Sequence, residues 1–343
     1  MSSINVNQIL SRNINILEAK APLFINLKND VFIQEYINLY PQAELSCYNT
    51  NFEEYCDYKT NKNIQSFFTA HYQTEKKHDL VIIAFPKSKA ELNFTLSMIF
   101  HATDQNTNIV IVGENKSGIK TLNKVAEQTL VNCNKYDSAR HCLLFVAQLA
   151  QNITPFTLDD WYDYYQVDIV NTQIKVAALP GVFSQKGLDK GTKILLENLP
   201  NIKSGEVLDF GCGAGVIASF IGKKHNEAKL NLLDVNALAL ESSRKTLALN
   251  NLTGNVFASN SLSEVNNKYD VVISNPPFHQ GITTDYSATE KFLEGIKSYL
   301  HKSADVIIVA NSFLKYEPIM QKTIGQTKRL LSQQGFTIYQ CKK

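Results

Sequence analysis

No run of about 18 consecutive apolar residues occurs anywhere in the 343-residue chain, which excludes a membrane-spanning helix. The start, Met1-Ser2-Ser3-Ile4-Asn5-Val6-Asn7, lacks a basic segment leading into an apolar one, so no secretory signal is expected. Cys47, Cys56, Cys133, Cys142, Cys212 and Cys341 are scattered, with neither a Cys-x-x-Cys pair nor zinc-ligand spacing. Reduced thiols in a cytoplasmic protein without a metal site are therefore expected. Glycine (15) and proline (9) are not in excess, and 44% hydrophobic with 19% charged residues is ordinary globular composition. Charge of one sign is missing too: a net charge of +2 does not announce a nucleic-acid binder. Only residues 301–343 lean one way. There seven cations (Lys302, Lys315, Lys322, Lys328, Arg329, Lys342, Lys343) face two anions, Asp305 and Glu317, a balance suited equally to phosphates or to a plain solvated surface.

The length suits two domains of about 150 residues each. In the second half, short apolar runs at 207–210, 230–234, 256–258, 270–274 and 306–310 alternate with amphipathic stretches such as 237–250 and 289–300. This is the pattern of a doubly wound parallel sheet. Near the end, Gln333-Gln334-Gly335 between apolar runs predicts a hairpin.

The first of these strands runs into Asp209-Phe210-Gly211-Cys212-Gly213-Ala214-Gly215. Glycines let backbone approach a ligand closely. Val216 stands where a dinucleotide fingerprint needs its third glycine, and no Gly-Lys-Ser/Thr follows, which weakens a nicotinamide or flavin reading and excludes a P-loop. Asp234 ends the next strand, where a carboxylate is placed to accept both hydroxyls of a ribose. Asn260, after the third, is placed to meet an adenine edge, and Asp209 to face a methionine amino group. The fourth strand ends in Asn275-Pro276-Pro277-Phe278. Ligands of open α/β sheets sit at the carboxyl ends of strands, so the glycine turn and this tetrapeptide share one crevice.

Together these segments resemble the S-adenosylmethionine-dependent methyltransferases that modify planar amino groups. An exocyclic amine is a poor nucleophile because its lone pair is delocalised into the ring. The Asn275 amide oxygen and the Pro276 carbonyl can each accept one N–H, drawing the nitrogen towards tetrahedral geometry. Two prolines stiffen the clamp, and Phe278 can stack on the base. His279 follows and is read as a hydrogen-bonded loop residue rather than a base, since the proton leaves after methyl transfer.

A narrower resemblance lies in Leu179-Pro180-Gly181-Val182-Phe183-Ser184-Gln185-Lys186-Gly187-Leu188-Asp189, Phe257-Ala258-Ser259-Asn260, Ile273-Ser274-Asn275-Pro276-Pro277-Phe278-His279 and Ile308-Val309-Ala310-Asn311-Ser312-Phe313-Leu314. In the first half, Val112-Gly113-Glu114-Asn115-Lys116-Ser117-Gly118 and Asp137-Ser138-Ala139-Arg140 belong to it as well. These segments resemble the RsmC family, the ribosomal RNA small-subunit methyltransferase C proteins, although Gln185-Lys186 departs from that family's Arg-Asp. The resemblance implies two tandem Rossmann-like class I methyltransferase domains, the N-terminal one degenerate. It implies S-adenosylmethionine as cofactor, with Phe183 joining Asp209, Gly211, Gly213, Gly215, Asp234 and Asn260 in the cofactor set. It also implies methylation of guanine N2 in 16S rRNA within the small ribosomal subunit. A monomer is expected. The residues alone reach only a planar amine: adenine N6, a protein glutamine, or a non-catalytic RNA-binding assembly protein remain alternatives.

The first half reads as a faded copy of the second. Asp79-Leu80-Val81-Ile82-Ile83-Ala84-Phe85-Pro86 parallels Asp270-Val271-Val272-Ile273-Ser274-Asn275-Pro276, and Asn108-Ile109-Val110-Ile111-Val112 parallels Asp305-Val306-Ile307-Ile308-Val309. The copy has no glycine loop, and Phe85 replaces the clamp amide. The expected division is a degenerate domain over 1–155, a linker and hairpin over 156–178, and a catalytic domain over 179–343.

Overall fold

The computed structural model describes residues 4–202, 205–276 and 286–343, with the side chains of 286–288 left aside. Its chain divides into two units, Met1–Trp161 and Tyr162–Lys343. Each contains a seven-stranded sheet of the same order.

In the first unit the strands are β1 (Pro22–Ile25), β2 (Ser46–Tyr48), β3 (Gln65–Phe67), β4 (Leu80–Ala84), β5 (Asn108–Glu114), β6 (Leu130–Ala139) and β7 (Cys142–Leu149). They lie in the order β3-β2-β1-β4-β5-β7-β6. The first five pair in parallel, and β7 pairs antiparallel with β5 on one side and β6 on the other. Phe24, Phe32, Tyr36, Ile82 and Leu144 lie in its buried core.

The second unit opens with a hairpin, β8 (Asp163–Ile169) and β9 (Thr172–Ala178). Its sheet is built from β10 (Glu206–Phe210), β11 (Lys229–Asp234), β12 (Gly254–Ala258), β13 (Tyr269–Ser274), β14 (Leu300–Asn311), β15 (Gln326–Gln333) and β16 (Phe336–Lys342). The order β12-β11-β10-β13-β14-β16-β15 repeats that of the first unit strand for strand, as an internal duplication requires. Val271, Val272 and Ile273 are fully buried, the continuous apolar run of a parallel strand covered on both faces. The expected turn at Gln334 and Gly335 joins β15 to β16 with both residues at positive φ (52° and 84°). Strand β14 starts earlier than its apolar run, at Leu300, which pairs with Tyr269; the extra residues of a register shift lie on β14 between this rung and Asp305–Val271.

Residues 156–178, expected as a separate linker and hairpin, divide between the units. Phe156 and Trp161 pack edge-on against Phe94 of the first unit, with ring centroids 5.3 and 5.5 Å away. The hairpin instead lies on the helix Ala237–Leu249 of the second. That helix is started by Asn236, whose amide oxygen accepts from the N–H groups of Leu238 and Ala239. One face carries Ser242, Thr246 and Asn250, all buried. Asn250 accepts from the Lys175 N–H, Thr246 from Ala177 and Ser242 from Leu179, each at 3.0 Å. The free backbone edge of β9, which would otherwise be an unsatisfied buried row, is thus capped by side chains. Among the described residues no helix is long and apolar enough to cross a membrane.

Asn250 also donates to the Lys175 and Thr246 carbonyls, at 2.7 Å each. Asn250→Ala is therefore expected to lower unfolding free energy by about 1–3 kcal/mol, the range for orphaning buried polar groups. Denaturant unfolding checks this, and an unchanged midpoint and slope would refute it.

Candidate active site

The carboxyl ends of β11, β10 and β13 lie side by side, with Asp209 in register with Leu232 on one neighbour and Ile273 on the other. Chain leaving β10 must turn sharply into the helix Val216–Lys224. It does so with Gly211, Gly213 and Gly215 at φ 73°, 53° and 75°, the left-handed region that residues with a Cβ enter only with strain. The Leu233 carbonyl holds the turn against β11 by accepting from the N–H groups of Gly211 and Cys212, both at 2.9 Å. At Gly215 space is short as well: a Cβ would stand 3.1 Å from the Ser243 Cα. Around Gly211 there is open space.

The two carboxylates expected to hold a cofactor differ. Asp209 is 1% exposed. Its Oδ2 accepts from the Ala218 N–H at 3.0 Å, tying the strand to the first turn of the following helix. Its Oδ1 has no partner among the described residues and is an acceptor that a ligand N–H would fit. Burial pushes its carboxyl up to about 7, a rise opposed by the Ala218 N–H and reinforced by Asp234. Asp234 is partly exposed. It accepts from the Gly213 N–H at 3.0 Å and from the Asn236 N–H at 2.9 Å. Burial also raises its pKa, against the opposing backbone N–H groups of Asn236, Gly213 and Val235. Its bond to Gly213 makes it a part of the turn as well as a candidate ligand group.

Asn260 is exposed just beyond β12, two residues after Ala258, which pairs with Asp234. Phe183 is 58% exposed, an apolar ring left in solvent. Its carbonyl oxygen lies 4.0 Å from where a Cβ on Gly213 would stand, so the 179–189 stretch runs beside the glycine turn. This stretch is fastened to the hairpin. Tyr165 donates to the Ser184 carbonyl at 3.0 Å, and Gln185 accepts from the Gly181 N–H at 3.1 Å while donating to Asp163 at 2.7 Å. Gln185, the departure from the family's arginine, is accounted for by those two bonds.

At the end of β13, Ser274 donates to the Phe210 carbonyl at 2.6 Å and fixes this strand end against that of β10. Asn275 follows. Its Nδ2 donates to Asp189 Oδ2 at 2.9 Å and to Thr192 Oγ1 at 2.8 Å. Its Oδ1 is buried with no partner among the described residues. Pro276 is buried. Pro277, Phe278 and His279 lie outside the described residues. Sequence reasoning assigned Asp189 and Thr192 no role. The available signal was helix-capping chemistry, since Asp189 caps the helix Lys190–Glu197 by accepting from the Thr192 N–H.

In the first unit the chain after β1 is bonded to other parts of that unit. After β1 the chain passes Asn26 and reaches Asp30, which caps the helix Val31–Leu39. Asp30 also accepts from Asn7 at 2.7 Å and from the Ile4 N–H at 2.8 Å, while Asn26 accepts from the Thr50 N–H at 2.8 Å. Phe85, at the clamp position, packs against Gly113 so closely that a Cβ there would come within 2.8 Å of its own.

Because the folded-state pKa of Asp209 lies above its ordinary 3.8, the folded state holds its proton more tightly than the unfolded state. Stability therefore declines as pH rises from about 4 to about 7. Asp209→Asn keeps an acceptor for Ala218 and removes the buried charge. It is expected to gain stability over the native chain at pH 8 relative to pH 5, measured by denaturant unfolding; an equal difference at both would refute the assignment.

Comparison with known proteins agrees with this architecture. Residues 173–340 match the methyltransferase small domain family, and residues 7–165 match the methyltransferase small domain N-terminal family. A protein of Colwellia psychrerythraea named "Ribosomal RNA small subunit methyltransferase C" is 52% identical, over 99% of this chain and 98% of its own. The protein of that name from Vibrio vulnificus is 39% identical over 98% of each. A solved structure titled "T. Thermophilus 16S rRNA N2 G1207 methyltransferase (RsmC) in complex with AdoMet and Guanosine" superposes with a TM-score of 0.84 at 18% identity, covering 99% of this chain and 92% of that one. That superposition speaks for the shared two-domain fold. With a relative more than half identical along its length, the chain belongs to the ribosomal RNA small subunit methyltransferase C family.

Proposed function

We propose that this chain transfers the methyl group of S-adenosylmethionine to the exocyclic N2 of a guanine in 16S rRNA of the small ribosomal subunit, acting in the cytoplasm as a monomer without a metal. The observation that carries the reading is the buried, unpartnered Oδ1 of Asn275 at the end of β13, the strand next to the one that enters the glycine turn. Small-subunit ribosomal RNA, rather than a protein glutamine, is supported by the full-length likeness to relatives named for it. Guanine N2, rather than adenine N6, is supported by the N2 G1207 for which the T. Thermophilus structure of the same fold is named.

In this reading Gly211, Gly213 and Gly215 give the cofactor its close backbone, and Asp234 receives the ribose hydroxyls. Asn260 meets the adenine edge, Asp209 Oδ1 the amino group, and Phe183 covers the site. S-adenosylmethionine supplies an electrophilic methyl group. The chain's own contribution is positioning. Asn275 Oδ1 and the Pro276 carbonyl accept the two N–H groups of the target amine, and Phe278 stacks on its base behind the stiff Pro276-Pro277 pair. Held in this way, the nitrogen lone pair is withdrawn from the ring and aimed. The proton is lost once the nitrogen carries its fourth bond and is strongly acidic, so no general base is required and His279 has no assigned role.

Small subunits lacking the modification, incubated with the protein and S-adenosylmethionine, are expected to gain N2-methylguanosine in 16S rRNA, read by mass analysis of nucleosides. Finding N6-methyladenosine, or no product at all, would overturn the substrate. Asn275→Ala is expected to slow single-turnover methylation by a factor of about 10² to 10³, as for loss of one aligned transition-state contact. Cofactor affinity, measured by calorimetry, should barely change. A native rate in this variant would make Asn275 a turn residue only.

A further inference from the structure

We infer that Asp189 and Thr192 are positioning residues that decide which end of the Asn275 amide meets the substrate. The inference rests on the amine-clamp reading and extends it. A primary amide presents two donors on one side and an acceptor on the other, and the two ends are nearly the same shape. Rotation by half a turn about the last side-chain bond would present Nδ2 to the target amine. Donor would then face donor, and the clamp would repel the group it must hold. Neither the strand nor the prolines prevent this, because both act on the backbone.

Asp189 prevents it. Its carboxylate can only accept. With Oδ2 at 2.9 Å it takes one Nδ2 hydrogen, and Thr192 Oγ1 at 2.8 Å takes the other. Both donors are thereby spent away from the crevice, and the carbonyl is left as the only end available. Turning the amide over would press its oxygen against the carboxylate. Asp189 is itself held firmly. The same Oδ2 accepts from the Thr192 N–H at 3.0 Å, and the intervening Gly191 is packed so that a Cβ would stand 2.9 Å from the Phe336 ring and 3.0 Å from Asp189 Oδ2. Helix cap and amide lock are one arrangement, joining positions 86 residues apart.

A residue that served only as a helix cap would tolerate exchange for serine, which caps as well as aspartate. The lock would not tolerate it. Asp189→Ser keeps a side-chain oxygen for the Thr192 N–H, but its hydroxyl ends one atom short of Oδ2, so one Nδ2 hydrogen of Asn275 is released and the amide can turn over. We expect the single-turnover rate on small subunits to fall about tenfold or more, with cofactor affinity and melting temperature near native. Asn275→Asp sets two carboxylates in contact and should be slower still. Combining Asp189→Asn with Asn275→Asp restores a donor at 189 facing an acceptor at 275, and leaves a second oxygen for the substrate. The double variant should recover at least about tenfold over Asn275→Asp, a coupling of the size found between contacting residues. Thr192→Ser should keep the native rate and Thr192→Val lose several-fold, a comparison that stands whether or not the double variant folds. A native rate in Asp189→Ser, a double variant no faster than Asn275→Asp, or equal rates in the two Thr192 variants would each overturn the proposal. A native rate in Asn275→Ala would remove the clamp reading beneath it, and so separates that failure from this one.

Discussion

The second unit depends on a turn that must enter the left-handed region three times within five residues. Leu233 and Asp234 at the end of β11 hold that turn from outside, through the carbonyl of one and the carboxylate of the other. From inside, Asp209 holds the start of the helix that follows. The neighbouring strand end, fixed by Ser274 on Phe210, cannot drift away from the turn. A helix N-terminus and a glycine turn together favour an electron-rich ligand.

Burial divides the labour among the polar groups. Asp209 is nearly dry, so its charge is expensive and its single bond to Ala218 matters most as a brace. Asp234 is wetter, and the backbone N–H groups of Asn236, Gly213 and Val235 oppose the rise that burial causes. Asn275 has no charge to regulate. Its orientation is the variable, and a carboxylate outside the crevice controls it.

Much of this was legible in the sequence because it is local. The glycine turn, the acid at the end of the next strand and the Asn-Pro-Pro tetrapeptide each occupy a few consecutive residues beside an apolar run, and the strands fall where those runs lie. The alternating hairpin at 163–178 was legible in the same way. Strands β1, β2 and β3 were not, because they are three or four residues long and too short to show a period. The Asp189–Asn275 contact was invisible for another reason: no local pattern reports a bond across 86 residues. Gln185 read as a departure from the family, yet its two bonds to Gly181 and Asp163 explain it once the hairpin is in place. Division of the 156–178 segment between units depended on which ring Phe156 and Trp161 would find, and a list of residues does not record that.

The seam between β9 and the helix Ala237–Leu249 matches two different rulers. Lys175, Ala177 and Leu179 are spaced by two residues of extended chain, about 6.6 Å, whereas Asn250, Thr246 and Ser242 are spaced by four residues of helix, about 6.0 Å. Three rungs absorb a mismatch of about 0.6 Å per step. A fourth would be out of phase by nearly a bond's tolerance. Like a vernier, the seam has a natural length, and the chain comes off it at Leu179, just where Pro180 begins the stretch that runs past Phe183 to Asp189. The point at which two periodicities fall out of step thus sets where the loop begins.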